Sequence, residues 1–248
     1  MKKYGLLGYP LTHSFSKQFF TEKFQKERID SEYLNFEIKS VDQVSKIIED
    51  HPDLAGLNVT IPYKEVIIPF LNDLHPEAKE ISAVNTIRIA RRQGEVHLTG
   101  FNTDIWGFEQ SLNPLLKSHH KNALILGTGG ASKAIQHVLK KLDINFLTAT
   151  TRTPSVKSIS YSDITKQLIS DFTLIINTTP LGTYPNTSTF PDIPYEYLST
   201  HHLLYDLVYN PQITIFLEKG KEQGAVIKNG YEMLILQALK SYEIWEQL

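Results

Sequence analysis

The chain has 248 residues, 41% of them hydrophobic, which is enough for one large core or two small ones and too many for a disordered chain. Charged residues make up 21%, the formal net charge is −2, and Lys and Arg never run beyond pairs, so neither a nucleic-acid nor an anionic-membrane surface is expected. There is no cysteine, which excludes disulfides and thiolate chemistry and points to a cytoplasmic protein; the N-terminal residues predict no signal peptide, and no apolar run predicts a membrane span.

In the first half, short apolar runs alternate with helical periodicity. Strands are expected over residues 4–8, 32–38, 55–59 and 84–90, with helices over 16–28 and 41–49. This is the pattern of α/β units on a mostly parallel sheet. Residues 95–98 follow the turn-like stretch 91–94 and predict a hairpin with the strand before it. A helix over 105–112 and a polar loop over 117–121 lead into a second series. Its strands are expected over 122–126, 145–149, 173–177, 203–207 and 225–228. Helices over 131–142 and 213–222, and a weaker one near 162–168, separate them. The segment 231–248 reads as a helix with Tyr231, Leu234, Ile235, Ala238, Tyr242 and Trp245 on one apolar face. Gln237 falls off that stripe, which frees it for a polar role.

Several polar clusters punctuate these elements. Ser14 and Ser16 flank Phe15 before a helix; one hydroxyl suffices as a cap, and two near a helix N-terminus suit a carboxylate ligand. In Asn58-Val59-Thr60-Ile61-Pro62-Tyr63-Lys64, Pro62 predicts a turn into a helix, with Lys64 in its first turn, where the dipole disfavours a cation. Ser82-Ala83-Val84-Asn85-Thr86 and Gly100-Phe101-Asn102-Thr103-Asp104 add Asn85 and Asp104; capping of the helix over 105–112 explains Asp104 equally well. The nine histidines include the adjacent pairs His119-His120 and His201-His202 but no ligand spacing on a helix, so no metal site is expected.

The strongest local signal is Ala123-Leu124-Ile125-Leu126-Gly127-Thr128-Gly129-Gly130-Ala131-Ser132, an apolar strand entering a glycine turn and then a helix. Glycines let the backbone approach a pyrophosphate closely, and the helix N-terminus offers it N–H groups. The next strand ends Thr150-Thr151-Arg152-Thr153, with no carboxylate from Ile144 to Ser162 to hold a ribose 2′-hydroxyl. A guanidinium there suits a 2′-phosphate, with Lys157 as a second cation, so NADP rather than NAD is the expected cofactor. Asn177-Thr178-Thr179-Pro180-Leu181-Gly182 closes a further strand with small residues suited to a ligand crevice.

Taken in order, the motifs resemble the shikimate dehydrogenase family over the whole chain. They are His13-Ser14-Phe15-Ser16, Asn58 to Lys64, Ala83-Val84-Asn85-Thr86, Gly100 to Asp104 with Gly107, Gly127 to Ala131, Asn177 to Gly182, Tyr209-Asn210-Pro211 and Gly230-Tyr231-Glu232-Met233-Leu234 with Gln237. The resemblance implies an α/β protein with a substrate domain over 1–102, completed by a returning helix over 231–248, and a Rossmann-type NADP domain over 103–230. It implies reversible, NADP-dependent reduction of 3-dehydroshikimate to shikimate. It further implies that Lys64 and Asp104 are the catalytic pair and that Ser14, Ser16, Asn58, Thr60, Asn85, Tyr209 and Gln237 bind substrate. Cofactor contacts are implied for Gly127, Thr128, Gly129, Gly130, Ala131, Thr151, Arg152, Thr153, Thr178, Leu207 and Gly230. In the oxidation direction the lysine must be neutral, so shikimate oxidation is expected to speed up as pH rises. Three departures stand out: Lys17 where proline is usual, Thr151 where asparagine is common, and a short segment over 154–161 where a helix is usual. A quinate-accepting relative, a non-catalytic NADP sensor, and either a monomer or a homodimer remain open at this point.

Overall fold

Buried Ile, Val, Leu and Tyr side chains line the strands of two six-stranded sheets. The computed structural model describes residues 1–11, 15–151 and 158–247. It divides into one unit of Met1–Thr103 with Ala238–Leu248 and another of Asp104–Gln237.

The first unit contains β1 (Lys2–Gly8), α1 (Phe15–Glu27), β2 (Ser31–Glu37), α2 (Gln43–Asp50), β3 (Leu54–Val59), β4 (Asp73–Leu74), α3 (Pro76–Ile81), β5 (Thr86–Arg92) and β6 (Glu95–Phe101). The sheet order is β2-β1-β3-β5-β6-β4, with β1 parallel to β2 and β3, and β5 antiparallel to β3 and β6. The expected hairpin is present, turning at Gln93 and Gly94, where both φ angles are positive. One core gathers Leu7, Val44, Ile48, Leu54, Leu57, Ile67 and Ile87. A second is aromatic, built on Tyr4, Phe20, Phe24, Tyr33 and Trp245. Trp245 stacks on Tyr4 at 4.9 Å between centroids, and its Nε1 donates to the Ile87 carbonyl at 3.0 Å. A Cβ on Gly56 would come within 2.2 Å of the indole, so glycine there is what lets the ring lie on the strand.

The expected helix after Pro62 does not form. Residues 61–62 and 64–67 make turns, and only a short 3-10 helix follows at Ile68–Phe70. Pro69 is the reason: inside a helix started at Pro62 it would lack its N–H and strike the carbonyl of Glu65. Lys64 therefore sits in a turn, half-buried, with its carbonyl accepting from Val84 N–H at 2.8 Å. The helix α3 and the strand β4 carry too few residues for a periodic signal and were not expected.

The second unit opens with α4 (Thr103–Leu112), of which only Thr103 belongs to the first unit. Its elements are β7 (Asn122–Leu126), α5 (Gly130–Lys141), β8 (Asn145–Thr150), β9 (Ser158–Ser160), α6 (Lys166–Asp171), β10 (Leu174–Asn177), β11 (Leu203–Asp206), α7 (Ile215–Glu222) and β12 (Val226–Lys228). All strands run parallel in the order β12-β11-β10-β7-β8-β9, the doubly wound arrangement whose order reverses beside β7. The weak helix expected near 162–168 splits into a 3-10 turn at Tyr161–Asp163 and α6, which starts later because the Thr165 hydroxyl caps it by accepting from Leu168 N–H.

The final helix, α8 (Tyr231–Glu246), contributes to both units, which divide between Gln237 and Ala238. Its buried residues are Met233, Gln237, Ala238, Ser241, Ile244 and Trp245, whereas Tyr231 is 51% exposed. The apolar stripe is thus rotated from the expected one, and Gln237 lies inside rather than off the packed face. The physical reason is that Ser241 faces a polar interior, and a stripe drawn through apolar residues misses such positions. Gly107 of α4 passes directly beneath Gln237: a Cβ there would meet Met233 O at 2.6 Å and Gln237 Cβ at 3.1 Å.

Candidate functional site

In the first unit, the candidate amides lie at the carboxyl end of β3 and the start of β5, inside a buried hydrogen-bond network. Asn58 Oδ1 accepts from the Tyr33 hydroxyl at 2.8 Å, and Asn58 Nδ2 donates to Ser241 Oγ at 2.9 Å and to the Asn85 carbonyl at 3.3 Å. Asn85 Oδ1 accepts from Thr103 N–H at 2.7 Å, Thr86 Oγ1 at 3.1 Å and Thr103 Oγ1 at 3.2 Å. Ser241 Oγ lies 2.8 Å from Thr86 Oγ1 and 3.1 Å from Thr103 Oγ1. The Ser16 hydroxyl bonds the Tyr33 phenol, whose ionisation burial pushes far up. Asn58, Asn85 and Ser16 are thereby joined through one set of groups, with Tyr33, Thr86, Thr103 and Ser241 as members that sequence reasoning did not single out. Thr86 and Thr103 stood within quoted motifs, but Ser241 carried no signal beyond its helix position. Thr60, held by its N–H to Leu7 O at 2.9 Å, and Lys64 follow β3 directly. Ser14 lies outside the described residues.

In the second unit, Asp104 occupies the first turn of α4 and Gln237 the middle of α8, with Gln237 Nε2 donating to Leu234 O at 2.9 Å. Tyr209 is 39% exposed beyond the end of β11, and burial of its phenol raises its pKa.

A cavity of about 330 Å³ opens at the carboxyl ends of β7, β8 and β10, lined by Gly127, Thr128, Gly129, Thr150, Thr151, Tyr161 and residues 178–181. Gly127 has φ +107°, and a Cβ on it would meet Thr178 Oγ1 and Thr179 Cγ2 at 2.9 Å, so both its conformation and its surroundings require glycine. A Cβ on Gly129 would meet nothing within 4 Å. That space adjoins the first turn of α5, which begins at Gly130 and Ala131 and whose N-terminus no side chain caps. A bare N-terminus behind an open glycine is the geometry a pyrophosphate needs, so the residues present fit a dinucleotide. Thr178 holds the turn with its hydroxyl on Leu126 O at 2.8 Å. Leu207 and Gly230 do not line this cavity; they press together, and a Cβ on Gly230 would come within 2.1 Å of Leu207 O. Arg152 and Thr153, with Lys157, lie outside the described residues. Tyr161, which follows the short edge strand β9, lines the cavity without having been expected; nothing in its polar neighbourhood marked it.

Beneath this crevice Asp206 is fully buried. Its Oδ1 accepts from Asn177 Nδ2 at 2.9 Å and Val208 N–H at 3.0 Å, and its Oδ2 from the Thr214 hydroxyl at 2.6 Å. Burial pushes its carboxyl up to about 6, opposed by those three donors. Among the described residues there is no group of three or more His, Asp or Glu able to hold a metal ion, and no helix is long and apolar enough to cross a membrane.

Comparison with known proteins agrees with this geometry. Residues 6–87 match the model of the shikimate dehydrogenase substrate binding domain. The shikimate dehydrogenase (NADP(+)) of Methanosphaera stadtmanae is 35% identical over 97% of this chain and 90% of its own length. The crystal structure of shikimate dehydrogenase 1 from Peptoclostridium difficile superposes with a TM-score of 0.83 at 36% identity, covering 99% of this chain and 92% of that one. That of shikimate 5-dehydrogenase from Thermus thermophilus, in complex with NADP(H) and shikimate, gives 0.85 at 27% identity, covering 100% and 94%. The chain belongs to the shikimate dehydrogenase family.

Proposed function

We infer that this protein catalyses the NADP-dependent, reversible reduction of 3-dehydroshikimate to shikimate, a step of aromatic amino-acid biosynthesis. The observation that carries this is family membership along nearly the whole chain, joined to a dinucleotide-shaped crevice at the switch point of the parallel sheet. The second unit binds the cofactor through Gly127, Thr128, Gly129, Gly130, Ala131, Thr151 and Thr178, with Arg152 and Thr153 toward the 2′-phosphate and Leu207 and Gly230 toward the other end. The first unit binds substrate, with Ser14 and Ser16 on the carboxylate and Asn58, Thr60 and Asn85 on the ring; Tyr209 and Gln237 complete the set.

Bound NADPH supplies the hydride. As the carbonyl carbon accepts it, negative charge grows on the carbonyl oxygen, and the Lys64 ammonium stabilises that charge and delivers the proton that completes the hydroxyl. Asp104, the other member of the catalytic pair, accepts a hydrogen bond from a ring hydroxyl. In reverse, Lys64 takes up the hydroxyl proton as hydride leaves the same carbon.

The test is steady-state reduction of NADP and of NAD by purified protein given shikimate or quinate. Shikimate with NADP is expected to be the best pair by kcat/KM. Preference for quinate or NAD would move the protein to the quinate-accepting side of the family, and no turnover from folded protein would overturn the reading.

A further inference from the structure

The relay behind Asn85 has a direction. An amide oxygen only accepts, so the Thr86 and Thr103 hydroxyls and the Thr103 N–H all donate to Asn85 Oδ1. Turning the amide over would bring its NH₂ against the Thr103 N–H, donor to donor, inside a site where Asn85 is 3% exposed. Each threonine hydroxyl has one proton. The Ser241 hydroxyl has one proton to give, to Thr86 Oγ1 at 2.8 Å or Thr103 Oγ1 at 3.1 Å, and Asn58 Nδ2 also donates to Thr86 Oγ1 at 3.3 Å; a threonine oxygen supplied in this way keeps its own proton for Asn85. Ser241 itself accepts from Asn58 Nδ2, whose identity as nitrogen is set by its contact with the Asn85 carbonyl. At the far end, Tyr33 donates to Asn58 Oδ1 and is bonded by Ser16.

We propose that Ser241 and Thr86 are positioning residues that lock the Asn85 carboxamide with its oxygen inward, so that Asn85 meets the substrate with N–H groups only. This rests on the reading that Asn85 binds substrate. A locked donor selects a ligand oxygen that accepts, and it serves ketone and alcohol alike without reorienting between the two directions of the reaction. Ser241 reaches this network because α8 packs its buried face over the ends of β3 and β5.

The experiment is a double-mutant cycle read as KM for shikimate, KM for NADP and thermal midpoint. Ser241→Ala and Thr86→Val are each expected to raise KM for shikimate about fivefold, with KM for NADP within about twofold, and Thr86→Ser is expected to restore most of the loss. In an Asn85→Ala background, Ser241→Ala is expected to add nothing further to KM for shikimate. Asn85→Ala raising KM while Ser241→Ala and Thr86→Val do not would overturn the proposal and leave the substrate reading intact. Asn85→Ala leaving KM unchanged would overturn both. Equal rises in the two KM values, or a Ser241 effect that persists without Asn85, would mark Ser241 as a packing residue and also defeat the proposal.

Discussion

Each unit buries a polar cluster at the ends of its strands, and the two are made of different chemistry. The cluster around Asn58, Asn85 and Ser241 consists of amides and hydroxyls, with the Tyr33 phenol held neutral by burial. The cluster around Asp206 has a carboxyl at its centre and draws three donors onto it. Neutral groups fix the orientation of the Asn85 amide and keep that orientation at any ordinary pH. A buried carboxyl gathers the end of β10, the chain after β11 and the start of α7 onto one point, and makes that point sensitive to pH. The first cluster is thereby specified by orientation, the second by a carboxyl-centred anchor.

The largest expected difference is in stability. Asp206→Ala leaves the Asn177 amide, the Val208 N–H and the Thr214 hydroxyl without their acceptor, and is expected to cost about 3 kcal/mol in urea unfolding. Ser241→Ala is expected to cost only about 1 kcal/mol. Equal costs would erase the contrast between the two clusters.

A second difference is in pH dependence. Folded Asp206 keeps its proton up to about pH 6, whereas an unfolded aspartate releases it near 4. The native state binds the extra proton across that window, so this contribution to stability is fully present below it and is lost as pH rises through about 6. The change is on the order of 2 kcal/mol. Asp206→Asn keeps an acceptor and removes the proton, so the difference between variant and wild type should vary across the window by that amount. A constant difference would show that Asp206 does not titrate there.

A smaller effect separates binding from folding. Alanine at Gly129 finds open space, so unfolding free energy should stay within about 0.5 kcal/mol of wild type. Its methyl occupies the approach to the α5 N-terminus, and Kd for NADPH is expected to rise about tenfold. Unchanged affinity would mean that the dinucleotide does not cross Gly129.

Much of this was legible in the sequence, for reasons that differ by element. The strand, glycine turn and helix at residues 122–141 announce themselves because backbone geometry demands glycine there and leaves few alternatives. The Arg91–Gly94 hairpin was legible in the same way. The sequence places Lys64 in a helix because Pro62 reads as a starter, whereas Pro69, a breaker within the same stretch, leaves only turns there. The burial of Gln237 and Ser241 was hidden because periodicity identifies a buried face by its apolar residues, and Ser241 is buried against the polar groups of Asn58, Thr86 and Thr103. Asp206 was readable in principle as a carboxylate ending an otherwise apolar strand, a costly placement unless it is hydrogen-bonded. Tyr161 and β9 had no such mark, since a three-residue edge strand has no period.

The most direct test of the account is Lys64→Ala, assayed for shikimate oxidation by NADP alongside NADPH binding by calorimetry. Lys64 belongs to the unit that does not contain the dinucleotide crevice. The account predicts a loss of about a thousandfold in kcat with NADPH affinity unchanged. Turnover within tenfold of wild type, or loss of NADPH binding from a folded variant, would contradict the assignment of proton transfer to Lys64 and of cofactor binding to the other unit.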